Sequence, residues 1–238
     1  MVSVAKKESV VLKCGFNHRY HPGITLLKRW VEEGTLGKIY YIRSRYGHCG
    51  RPGYENDWRS DPKLVAGGQL MEHGIHVLDL FRMLLGDFHT VVGFVSTSFW
   101  PIAPLEDNAM AIFRNKINQA AFIHSSLTQW RNLFSFEVCG ENGIGSVEGL
   151  GGSYGVERAI FNPREFEKPF REEVTEFRGE DKSWALELED FILAIKTGRE
   201  PSGNGRDGVE ALRMVFAVYE SAKRLSPVEI KSVGALRS

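Results

Sequence analysis

The 238-residue chain balances thirty acidic against thirty basic side chains, so it offers no basic footprint for a nucleic acid or for an anionic membrane surface. Its cysteines, Cys14, Cys49 and Cys139, are odd in number, widely spaced and form no C-x-x-C, and they read as free thiols of a reducing compartment. Fifteen Phe and five Trp supply a core, no apolar run reaches membrane-spanning length and no signal-type segment opens the chain, so a cytoplasmic protein of one large domain or a little more is expected.

Met1–Ser9 reads as the tail of a helix and Val10–Phe16 as a short buried strand. Asn17–Pro22 is a polar loop. Pro22 opens a helix with the apolar stripe Ile24, Leu27, Trp30 and Val31, and Gly34 ends it. Lys38–Tyr46 alternates as a strand with one polar face. His48–Pro62 is a loop rich in Gly and Pro that carries Tyr54 and the run Asp57-Trp58-Arg59.

Gly67–Gly86 is the most informative stretch. Leu70, Val77, Phe81, Leu84 and Leu85 form one helical stripe, while Gln69, Glu72, His76 and Asp79 share another face. A carboxylate one turn before a histidine can hold the imidazole in one tautomer and raise its basicity, as a general acid–base requires. An isolated Glu–His pair is ordinarily a solvated polar face, but Gly67, Gly68 and Gly74 point to a close approach by another backbone or a ligand.

Beyond it, Thr90–Trp100, Asn108–Arg114, Gln119–Thr128 and Leu133–Cys139 are strand-like, and Ser146–Glu148, Val156–Phe161 and Phe170–Phe177 are weaker. Trp184–Lys196 and Gly208–Leu225 are helical, with Asp207 and Glu210 placed as a cap. The last dozen residues look frayed. The expected fold is α/β (α+β): an open, mainly antiparallel sheet flanked by helices, preceded by the last helix and strand of a Rossmann-type layer.

Three motifs are weighed and set aside. Glu72, His73 and His76 lack the His-to-His spacing of a zinc helix, so no metal is expected. Gly149–Gly155 departs from G-x-G-x-x-G and lies among strands, so it is a turn, although Tyr154 there can face a ligand. His124 and Ser126, with Gln129 and Trp130 after them, suit a sugar site and the solvent face of a sheet equally.

Taken in order, Phe16–Pro22, Glu33–Ile39, Asp57-Trp58-Arg59, Gly67-Gly68 through Glu72–His76 and Asp79, then Asp107-Asn108 and Gly140–Gly143, resemble the Gfo/Idh/MocA oxidoreductases over most of the chain. The resemblance implies an NAD(P)-binding Rossmann domain followed by a substrate-binding sheet domain that also makes oligomers. It implies hydride transfer between NAD or NADP and a carbon of a sugar, cyclitol or nucleotide-linked sugar.

In that scheme His76 and Glu72 are catalytic, with Glu72 where an aspartate is common, and Arg19, Trp58 and Arg59 approach the cofactor. Asn17, Tyr20, Asp57 and Tyr154 line the substrate. The family's glycine-rich fingerprint and its lysine-bearing Glu-Lys-Pro motif would both stand before Met1. Residues 1–16 are therefore expected to be a remnant of the Rossmann domain and 17–238 the substrate-binding and oligomerisation domain. The alternative is a catalytically inactive module of the same descent that binds a sugar or a partner.

Overall fold

A strand that begins where Gly34 and Gly37 release the preceding helix sets the position of everything else. The computed structural model describes residues 1–231. Helix α1 (Val2–Lys7) and α2 (Pro22–Glu32) precede that strand, β1 (Ile39–Gly47). Then follow α3 (Ile75–Leu85), β2 (Phe88–Ser96), β3 (Asn108–Asn115), β4 (Ala120–Ser126), β5 (Leu133–Gly140), β6 (Gly143–Glu148), β7 (Glu157–Pro163) and β8 (Glu173–Phe177). Helices α4 (Ser183–Thr197) and α5 (Gly205–Arg224) and the two-residue β9 (Val228–Glu229) complete the described residues.

The strands form one sheet in the order β8-β7-β6-β5-β1-β4-β3-β2-β9. Neighbours are antiparallel except at the centre, where β1 runs parallel to β4. Strand alternation sorts the two faces. Ile42, Tyr46, Phe113, Ile123, Phe134 and Phe136 point inward and are buried. Helices α2, α3 and α5 cover that face. α5 lies directly on β2, and α3 packs against α5, β1 and the Asn17–Tyr20 turn, so Leu78 and Leu80 are as buried as the stripe residues Leu70, Val77 and Phe81. The opposite face is open, and exposes Val92, Phe94, Met110, Ile112 and Phe122 beside Arg43 and Arg45.

Several expectations are corrected. Val10–Phe16 is extended but is no strand: its one bridge joins Lys13 to Asn204, with Cys14 N–H bonded to Gly203 and Leu12 accepting from Gly205. The backbone beside it is the turn into α5, which is too short to carry a ladder. Asn17–Tyr20 is a short 3-10 turn rather than a plain loop. The cap of α5 is Asn204, whose side chain accepts from Arg206 and Asp207 N–H, while Asp207 returns a bond to Asn204 N–H. Of the last dozen residues, Val228–Glu229 add an edge strand to β2, and 232–238 lie outside the described residues.

The helix read as Gly67–Gly86 begins with a π-helical turn, Leu70–Gly74. Of its glycines, Gly67 and Gly74 make room for side chains, Tyr219 and Ser125 among them, and Gly68 answers to backbone. A Cβ on Gly68 would stand 2.0 Å from the Glu106 carbonyl oxygen. The same Glu106 caps the helix from a distant loop: its carboxylate accepts from Gly68 N–H (2.9 Å) and Leu70 N–H (3.0 Å), and Tyr219 donates to it at 2.8 Å. An acceptor at a helix N-terminus satisfies its free N–H groups and complements the helix dipole.

Candidate active site

Three elements converge on the N-terminal half of the central helix: the Asn17–Tyr20 turn, the end of β1 and the π-turn. They assemble five of the chain's seven histidines. His18 stacks on His76 with centroids 4.3 Å apart and planes 21° from parallel. His21 stands edge-on to His18 at 5.7 Å, and Tyr46 at 5.3 Å. His73 lies 5.5 Å from Tyr46 and 4.8 Å from His48. Tyr154 closes one side at 5.1 Å from Tyr46.

Little in this group is saturated. Asn17 donates through Nδ2 to Ser183 Oγ (3.0 Å), so its Oδ1 is the acceptor for His18 Nδ1 at 3.2 Å. That bond puts the His18 proton on Nδ1 and leaves Nε2 a bare acceptor, buried without a partner. His48 Nδ1 accepts from Gly50 N–H at 3.1 Å, which puts its proton on an equally unpartnered Nε2. His73 Nδ1 and His76 Nδ1 are enclosed without partners as well, which leaves Nε2 as the nitrogen of His76 open to a ligand. Buried polar groups are normally paired, so convergent unpaired donors and acceptors are the mark of a site for a polar ligand.

Burial also sets the charge. It pushes His76 down to about 4, with His73 and His21 adding to the effect. His73 falls to about 4 through burial and then the Arg59 charge, and His48 to about 4 through burial and then His73. His18 is likewise held well below its ordinary value by burial, with His76 the next cause. At neutral pH His18, His48, His73 and His76 are uncharged, the state in which an imidazole accepts a proton. His21 is tied to the buried Glu157 at 3.0 Å.

Glu72 does not touch His76. Its carboxylate bonds Arg59 Nε at 2.7 Å and accepts from the Tyr54 hydroxyl at 3.2 Å. Arg59 and Tyr54, both from the loop after β1, draw the Glu72 carboxylate to the outside of the site. Glu72 therefore belongs to a rim with Arg59, Asp57 and Trp58. Arg59 lies over the exposed Trp58 ring at 4.5 Å, and Asp57 accepts from Arg59 N–H at 3.1 Å.

Two expected site residues lie elsewhere. Arg19 is closed in a buried pair with Asp79, at 2.7 and 2.6 Å, and adds Asp207 at 3.1 Å, so its guanidinium is not free for a cofactor. The Tyr20 hydroxyl donates to Asp190 (2.8 Å) and accepts from Lys13 (2.9 Å). Its ring borders a groove of about 1280 Å³ between α2 and β8, shared with His21, Glu157 and Arg29. Tyr154 borders a second cavity of about 480 Å³, with Phe134 and Arg158.

His124 bonds Asn108 at 3.2 Å on the outer face of the sheet, and Trp130 is exposed against Phe99, so neither joins the histidines. A Glu-Lys-Pro tripeptide does occur, at 167–169, in the exposed loop between β7 and β8 and late in the chain. Among the described residues, no group of three His, Cys, Asp or Glu is placed to hold a metal ion.

The roles of His18, His21, His48 and Tyr46 escape periodicity because they come from a turn, a strand end and a loop. The concentration of histidines in the two stretches NHRYH and EHGIH was the available signal. For a nicotinamide group this chain offers the exposed face of Trp58 and the Arg59 charge at the rim; its G-x-G-x-x-G sequence, residues 203–208, opens α5 after another helix rather than after a strand.

Residues 24–145 match the family model of the GFO/IDH/MocA C-terminal domain. Levoglucosan dehydrogenase from Pseudarthrobacter phenanthrenivorans is 23% identical, over 99% of this chain and 70% of its own length. Myo-inositol 2-dehydrogenase from Thermotoga maritima is 24% identical, over 98% of this chain and 68% of its own length. The fold is that of levoglucosan dehydrogenase in its complex with NADH, with a TM-score of 0.84, 22% identity and coverage of 98% of this chain and 69% of that one. With more than half of its residues under that domain and relatives along nearly its whole length, the chain belongs to the Gfo/Idh/MocA family of oxidoreductases.

Proposed function

We propose that the chain is the substrate-binding part of a cytoplasmic NAD- or NADP-dependent dehydrogenase that oxidises a hydroxyl of a sugar or cyclitol. The observation that carries this reading is the open Nε2 of His76, an uncharged imidazole at the centre of unpaired polar atoms. In the reaction, His76 Nε2 takes the hydroxyl proton as the same carbon gives up hydride. The nicotinamide, when bound, supplies the hydride acceptor. His18 Nε2 accepts from, and His48 Nε2–H donates to, neighbouring hydroxyls. Glu72 holds Arg59 and Tyr54 at the rim, where Trp58 faces the cofactor, and Asp57 fixes Arg59. Asn17 acts through His18, and Tyr154 walls the site.

The relatives' names put levoglucosan, myo-inositol and D-xylose first among substrates to try. The same reading treats residues 1–16 as the end of a dinucleotide-binding domain and 17–238 as the substrate domain. Helix α4 supports that division, because it exposes Trp184, Leu188, Ile192, Leu193 and Ile195, an apolar face fit to be covered by another domain. The open sheet face, with Phe94, Met110 and Ile112 exposed, fits self-association.

The test is turnover of the three polyols with NAD or NADP by the native gene product and by its His76→Asn form. Turnover should fall by about 10²–10⁴ while polyol binding is kept. Unchanged turnover removes His76 from the chemistry. Polyol binding by a native protein without turnover would leave an inactive binding module.

A further inference from the structure

The stack of His18 on His76 has a consequence for where a proton can sit. Two imidazolium rings cannot share a 4.3 Å face-to-face contact inside a protein without strong repulsion. The pair therefore takes one proton, and the surroundings decide which ring receives it. The His18 side is fixed from outside the site. Ser183, at the start of α4, accepts from Asn17 Nδ2, and this turns the Asn17 carbonyl oxygen toward His18 Nδ1. An amide oxygen accepts a hydrogen bond but brings no charge to favour a second proton on His18. Asn17 and His18 are both buried, so the relation is not exchanged with water.

We propose that His18 is a positioning residue for His76, held neutral with its proton on Nδ1 by the Ser183–Asn17 relay, so that the single proton of the stacked pair resides on His76. The proposal rests on the reading of His76 as the acid–base group, but its test needs neither cofactor nor turnover.

The other groups around the pair are consistent with this assignment. From β1 and the turn after it come Tyr46 and His48, both neutral at pH 7. From the π-turn comes His73, with Glu72 and Arg59 opposing one another at the rim. From the opposite side comes His21, tied to Glu157. One turn beyond His76, Asp79 is neutralised by Arg19. No free carboxylate among the described residues stands against His18 to draw the proton there.

The experiment is a pH titration of the ¹⁵N-labelled chain, followed through the imidazole nitrogens by NMR. In the wild type, His18 should show the Nδ1–H neutral form, and His76 should gain its charge at a higher pH than His18. Asn17→Asp, a nearly isosteric change, places a carboxylate on His18 Nδ1. It should reverse the order, with His18 charging first and the His76 midpoint moving down by about one unit or more. His76→Phe keeps a stacked ring and removes the competing charge, and it should raise the His18 midpoint. A wild-type His18 protonated at Nε2, two rings charging over the same range, or an order unchanged by Asn17→Asp would each overturn the proposal. None of these results bears on whether His76→Asn loses turnover, so the two readings fail separately.

Discussion

Arg19 grips Asp79 through two hydrogen bonds, Nε to Oδ2 at 2.7 Å and Nη2 to Oδ1 at 2.6 Å, across the junction between the Asn17–Tyr20 turn and α3. Asp79 is fully buried, and Asp207 at the start of α5 joins the same guanidinium. This pair locks the two segments that carry His18 and His76.

Removing one partner leaves an uncompensated buried charge. Arg19→Met should therefore lower the unfolding free energy by about 3–5 kcal/mol, read from urea denaturation. A loss under about 1 kcal/mol would mean the pair contributes no more than an exposed ion pair.

The histidine cluster predicts how stability depends on pH. His48, His73 and His76 sit at about 4, below the unfolded value of about 6.5. Between those values the unfolded chain binds protons that the native chain refuses, so stability falls as pH drops through that window. The slope should approach about 1.4 kcal/mol per pH unit for each fully titrating group, less the overlap among neighbours. A urea midpoint that is flat from pH 6.5 to 4 would contradict the burial of these imidazoles.

Gly68 leaves no room for a methyl group, because the facing atom is the Glu106 backbone oxygen, which cannot rotate away. Gly68→Ala should cost about 1–3 kcal/mol or more and loosen the π-turn that carries Glu72 and His73. Denaturation of this variant beside Gly86→Ala, at an open position, would separate crowding from glycine content, although Gly86 has φ +73 and carries its own conformational cost.

Gly203-Asn204-Gly205-Arg206-Asp207-Gly208 reads G-x-G-x-x-G and opens α5, but it follows α4 rather than a strand, and Asn204 and Asp207 already cap the helix N-terminus where a dinucleotide pyrophosphate would sit. This chain by itself should bind NADH poorly. Low-micromolar binding in a fluorescence titration would sink that expectation.

Strands β1 to β4 were legible because one face of each meets the core and the other is more open, so the pattern is written locally. Helices α2 and α5 were legible for the same reason. β5, with no exposed residue, was legible as an apolar run, and only Ser146–Glu148 of β6 was read as a strand. What stayed hidden depends on contacts distant in sequence. Val10–Phe16 is apolar enough for a strand, yet strand pairing needs a neighbouring backbone that only Gly203–Gly205 provides. Glu106 reads as a loop acid, and only the fold brings it beneath Gly68.

The catalytic expectation divided in the same way. His76 stands among the unpaired polar atoms, but Glu72 turns aside because Arg59 and Tyr54, from a loop distant in sequence, hold its carboxylate. Arg19 and Tyr20 have the chemistry of ligand-binding residues, and the fold spends both on holding segments together. His18 became visible only when a 3-10 turn laid it against His76.

The parallel pairing of β1 with β4 is the exception in an otherwise antiparallel sheet. Because these two strands are neighbours at its centre, the 72 residues from His48 to Gln119 form one excursion anchored at both ends by the same ladder. Rim, π-turn, helix and two further strands all belong to it. Residues 48–66, its outermost portion, can therefore change length or composition while every ladder register stays in place. That segment is where a lineage can retune what enters the site while inheriting the scaffold intact.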